Sequence, residues 1–87
     1  MDKSKLKEFR DEFKNWAICG KCKPNEEDVY EETGEFYFGW GLEIFVYLTK
    51  TFGIDVEAFG KAKSFKPGDF RGAKRFIEDA LIEENIL

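Results

Sequence analysis

The sequence predicts a mainly α fold, a small bundle of three or four helices, on three observations. Apolar residues recur at helical spacing near both ends of the chain, from Leu6 to Ala17 and from Phe70 to Leu81. Between them, the run from Leu42 to Phe52 is apolar on most faces, as a central buried helix would be. Glycines and prolines stand where such helices would stop or start, at Gly20, Pro24, Gly53 and Pro67-Gly68. Eighty-seven residues make one domain, 1–87, near the size where a single core is only just sufficient; ten Phe, three Tyr and two Trp supply the bulk for it without disulfide or metal.

Leu6, Phe9, Phe13, Trp16 and Ala17, with charges between them, predict an amphipathic helix over 3–18 that Gly20 and Pro24 end. Asn25 followed by Glu26-Glu27-Asp28 reads as an N-cap with acids in the first turn, so a short helix is expected to about Glu32, broken by Thr33-Gly34. Phe36, Tyr37 and Phe38 have strand propensity, and a hairpin at about 29–38 turning at Thr33-Gly34 is the α+β alternative. A loop is preferred there because Gly39-Trp40-Gly41 follows at once. Residues 42–52 are then the central helix, with Phe45 and Leu48 as core residues and Gly53 as its C-cap. Ile54 to Pro67 reads as a connection with room for one helical turn carrying Val56 and Phe59. Asp69 caps a last helix over 69–84, whose apolar positions are Phe70, Ala73, Phe76, Ile77, Ala80 and Leu81.

The net charge of −4 is unevenly placed. Residues 24–49 carry seven acids and no base, while 3–23 and 50–75 each carry seven bases against three acids. Such an acidic block repels phosphate backbones and suits a basic protein surface, so nucleic acid is not expected as the main partner. Its plain alternative is a solvated face that keeps the domain in solution. The first residues hold no apolar signal-peptide core, and the strongly apolar run Ile44–Leu48 is too short to span a bilayer. A cytoplasmic protein with reduced cysteines and no membrane contact is the expectation.

Histidine is absent, which removes the commonest general base and nitrogen metal ligand together with Ser-His-Asp and Cys-His catalysis. Gly39 and Gly41 are not a phosphate loop, because no Gly-Lys-Ser/Thr follows. No pair among the eighteen acids is singled out by spacing. Cys19-Gly20-Lys21-Cys22 has the spacing of a redox pair or half a zinc site. It closes a helix instead of opening one, and no second ligand pair exists, so two ordinary thiols are expected. No enzyme activity and no cofactor are expected. The cluster Phe36-Tyr37-Phe38-Gly39-Trp40 lies in the acidic block; most of its rings should fill the core, with Trp40 or Tyr37 exposed as an interface anchor between Glu35 and Glu43.

From Gly39 onward the chain resembles the acyl carrier protein superfamily, closest to a divergent bacterial branch. Leu42 to Val56 resembles that family's second helix and its exit, Phe59 to Pro67 its connection, and Phe70-Arg71-Gly72-Ala73-Lys74-Arg75-Phe76-Ile77 its fourth helix. The resemblance implies a helical bundle with an acidic second helix as docking surface and Glu43 in the matching position. A carrier also needs a serine just before that helix for the phosphopantetheine arm. Here the stretch reads Tyr37-Phe38-Gly39-Trp40-Gly41, and the only serines are Ser4 and Ser64. The resemblance therefore implies the scaffold without the prosthetic group.

Three readings follow. The first is a non-catalytic protein-interaction module on an acyl-carrier-like scaffold, binding a basic protein through Tyr37, Trp40, Glu35 and Glu43. The second is a small acidic inhibitor or immunity-type protein that blocks a basic partner site. The third is a thiol redox or metal-binding protein using Cys19 and Cys22.

Overall fold

The computed structural model of the chain describes residues 3–14, 16, 25–30, 35–40 and 43–86, with residues 3, 25–30, 35 and 36 described by their backbone alone. In chain order these form α1 (Lys3–Phe13), β1 (Asn25–Tyr30), β2 (Glu35–Trp40), β3 (Ile44–Leu48), β4 (Ile54–Ala58), β5 (Lys61–Phe65) and α2 (Phe70–Glu83). The five strands make one antiparallel sheet in the order β1-β2-β3-β4-β5, each strand beside its neighbour in sequence.

The mainly α expectation is therefore corrected to α+β, the arrangement held as the alternative. Both terminal helices form where apolar spacing put them, α2 over nearly the whole of 69–84, but α1 stops at Phe13, short of the expected 3–18, with Lys14 in a turn and Trp16 beyond the helix. The short helix expected from Asn25 is strand β1 instead, which pairs with β2 from Asn25↔Gly39 to Tyr30↔Glu35 with a register shift between Glu27 and Tyr30. The connection expected over 54–67 is a second hairpin, β4 against β5.

The expected central helix is β3, and its burial alternates: Ile44, Val46 and Leu48 are buried while Phe45 and Tyr47 are half-buried on the other face. Five consecutive apolar residues carry no periodicity, so helix and strand are distinguished only by length and by enrichment in β-branched and aromatic types. Ile44-Phe45-Val46-Tyr47-Leu48 is short and rich in both, and it pairs along its whole length with β2 and β4. Leu48 is a core residue as expected; Phe45 is not, because a strand sends neighbouring side chains to opposite faces.

Both helices lie on the same sheet face. Phe38 and Trp40 of β2, Ile44, Val46 and Leu48 of β3, and Ile54, Val56 and Ala58 of β4 point toward Phe9 and Phe13 of α1 and Ala73, Ile77, Ala80 and Leu81 of α2. Aromatic rings join the layers: Phe9 stacks on Phe38 at 5.7 Å, and Phe13 meets Trp40 at 6.4 Å and Phe70 at 5.9 Å. Lys74 of α2 bridges to Glu12 at 2.9 Å and lies 5.5 Å from the centre of the Phe13 ring, tying the two helices at the surface. Asp69 caps α2 by accepting a hydrogen bond from the Gly72 N–H at 3.0 Å.

The β4–β5 connection is a two-residue turn with Phe59 at φ 51° and Gly60 at φ 83°. Positive φ at both central positions is the geometry of the turn whose twist matches a hairpin. Glycine adopts it freely, whereas Phe59 is held there with its side chain half-buried against the core.

Candidate sheet-face binding site

Two rows of cross-strand partners cross the sheet on the face away from the helices. One runs Tyr37, Tyr47, Asp55, Ser64, and the other Gly39, Phe45, Glu57, Ala62. Each row passes from aromatic or glycine on β2 and β3, through a carboxylate on β4, to a small side chain on β5. The alternation of β4, with Ile54, Val56 and Ala58 buried and Asp55 and Glu57 between them, places both carboxylates on this face.

The aromatic end is a compact triangle. Tyr37 lies 5.4 Å from Tyr47 and 5.9 Å from Phe45, and Phe45 lies 6.3 Å from Tyr47, between ring centres. All three are half-buried. Tyr47 donates a long hydrogen bond of 3.4 Å from its hydroxyl to Glu57 Oε2, linking the rings to the acids. Beside them is an open depression of about 540 Å³ whose lining takes in Tyr47, Thr49, Asp55, Glu57, Ala62 and Ser64, together with Val56 and one cation, Lys63. It exists because Ala62 and Ser64 are small where β2 and β3 carry rings. Among the described residues, no helix or second sheet lies over this face.

The residues singled out by sequence are only partly brought together here. Tyr37 stands in the triangle. Trp40 does not: it is 2 % exposed, on the helix face, with its ring 5.8 Å from Trp16 and its indole N–H donating to the Trp16 carbonyl at 3.4 Å. The expected exposure of Trp40 between two glycines is thus corrected; strand alternation puts it on the side of Phe38. Glu43 is exposed at φ 60° in the β2–β3 turn, not on a helix. Glu35 opens β2 opposite Tyr30, and its side chain lies outside the described part. Cys19 and Cys22 fall outside the described residues, as does any geometry a thiol pair would need.

Phe45, Tyr47, Asp55, Glu57 and Ser64 were not anticipated as site residues. The signal was present in Ile54-Asp55-Val56-Glu57-Ala58, whose strict apolar–acid alternation is the signature of a strand with one face in the core. Among the described residues, no three His, Cys, Asp or Glu side chains converge as a metal ion would require, and no helix is long and apolar enough to cross a membrane.

No protein-family model matches the chain, and no curated protein or solved structure matches it either. The resemblance to acyl carrier proteins is overturned on both counts: no family matches, and the segment likened to the second helix and its exit is β3, a turn and β4.

Proposed function

We propose that this chain is a non-catalytic protein-binding module that docks a basic partner on the open face of its sheet. The observation that supports this most is the adjacency of the Tyr37–Phe45–Tyr47 triangle to Asp55 and Glu57 on a face no described element covers. Aromatic rings already held by one another lose little freedom on binding and supply area to desolvate, which is why Tyr and Phe anchor interfaces. The carboxylates add direction, drawing a basic surface and repelling acidic ones, nucleic acid included.

The inhibitor reading is a narrower form of this one. It is favoured by the carboxylates standing beside a depression, a shape that can seat a basic loop from the rim of an active site. An enzyme partner that loses activity on binding would select it.

The test is capture from host lysate with two charge-reversed variants. Asp55→Lys with Glu57→Lys alters the open face, and Arg71→Glu with Arg75→Glu alters exposed positions on α2. Partners of the parent should be lost by the first variant and kept by the second. The reverse pattern would move the binding surface to the helices.

A further inference from the structure

β5 closes one side of the sheet, and no described strand pairs with its outer edge. The phase of its ladder follows from one hydrogen bond on the other side of β4. Phe59 N–H donates to the Glu43 carbonyl at 3.2 Å, one step beyond the Ile44↔Ala58 pair. Hydrogen-bonded pairs alternate in an antiparallel ladder, so Asp55 and Glu57 turn their backbone groups toward β3 and Ile54, Val56 and Ala58 turn theirs toward β5. Their partners there are Phe65, Lys63 and Lys61, which leaves the N–H and C=O of Ala62 and Ser64 facing outward from the sheet.

The side chains along this edge differ between its two faces. On the open face, Ala62 and Ser64 leave a low lane from the edge to Glu57 and Asp55, their register partners. An added strand would lie about 10 Å from β4, two strand spacings away. A long basic side chain lying over Ala62 and Ser64 and the carboxylates reaching from the other end cover that distance together. On the helix face the same edge carries Lys61 and Lys63, both exposed, with Lys61 bonded to Glu83 at 2.7 Å and Lys63 over the Phe65 ring at 5.4 Å. Lysines on an edge disfavour pairing with a second copy of the same strand, where like charges would face each other. They favour a strand with acids at those positions.

We propose that β5 accepts an extended segment of a protein partner as a sixth strand, its basic side chains crossing Ala62 and Ser64 to Asp55 and Glu57 and its acidic ones beside Lys61 and Lys63. This rests on the protein-docking reading and names the form its partner takes. Outward amides supply the affinity and the two charged faces the register, as in other strand additions.

A random linear peptide library displayed on phage, selected on the whole chain, tests it. The enriched peptides should alternate basic and acidic residues. They should bind Ser64→Pro at least about tenfold more weakly, since proline removes an edge donor and is tolerated where that N–H faces solvent. Lys63→Glu should select peptides with bases in place of acids on that face, which keeps the test sound if the proline variant does not fold. Peptides that lose binding on Asp55→Asn with Glu57→Gln yet bind Ser64→Pro like the parent would leave the open face as the site and overturn strand addition. Peptides indifferent to all of these variants would overturn both. A selection that enriches no linear sequence would overturn strand addition alone.

Discussion

The ring of Phe45 lies over Gly39, its cross-strand partner: a Cβ added at position 39 would stand 3.2 Å from Phe45 Cδ1 and Cε1, and 3.4 Å from Tyr37 Cε2. Glycine in a strand costs roughly 0.5–1 kcal/mol against alanine. Here it lets the Phe45 ring lie close to the sheet and join the two tyrosines. Gly39→Ala should therefore displace that ring and weaken partner binding, while its stability stays within about 1 kcal/mol of the parent, propensity gain offsetting crowding. In a Phe45→Ala background the same change should stabilise by roughly 0.5–1 kcal/mol. A double-mutant cycle by urea denaturation measures the difference.

Residues on the two faces of β3 should respond unequally. Leu48→Ala removes a side chain 2 % exposed in the core and should cost about 2–5 kcal/mol. Phe45→Ala loses mainly cross-strand ring contacts on the open face and should cost about 1 kcal/mol. Equal, large losses in denaturation midpoint at both positions would indicate that both faces of this segment are in the core.

Trp40 should report a buried environment. With Trp16→Phe leaving it as the single indole, emission should be blue-shifted and poorly quenched by acrylamide. Trp40→Ala should cost about 3–5 kcal/mol, a large share of what a small domain has. Emission like that of free tryptophan would contradict its place among Phe13, Trp16 and Ile44.

What the sequence disclosed depended on whether its periodicity was distinctive. The apolar stripes of α1 and α2 repeat over three turns or so and are separated by charges, so both helices were legible. Ile44–Leu48 is apolar at every position, and the same five residues satisfy a buried helix and a buried strand. Its neighbours decide between them, because Phe36–Trp40 and Ile54–Ala58 align with it residue for residue as the flanking arms of two hairpins, and that pairing does not show in the pattern of the five residues themselves. The site was legible to the same degree. Tyr37 was recognisable from its place in an aromatic cluster, but its companions Phe45 and Tyr47 come from the segment read as helix, and Asp55 and Glu57 from one read as a connection. Trp40 is buried despite the glycines on either side of it, because the period-two alternation of the strand puts it on the same face as Phe38.

The start of α2 offers an independent check on local chemistry. A Cβ at Gly72 would come within 2.5 Å of Asp69 Oδ2, the side chain that caps the helix through the Gly72 N–H. Asp69→Ala should cost roughly 1 kcal/mol. Gly72→Ala should be near neutral in the parent, helix propensity opposing a displaced cap. In the Asp69→Ala background it should stabilise by about 1 kcal/mol. Thermal denaturation of the four proteins of this cycle gives the coupling.

Hydrogen exchange of the chain with and without the first partner captured tests most directly whether the open sheet face is the docking surface. Amide protection on binding should concentrate in 37–40, 44–48 and 54–65, with 70–83 exchanging as in the free chain. Protection confined to α2, with the strands unchanged, would contradict a binding surface built on Tyr37, Phe45, Tyr47, Asp55 and Glu57.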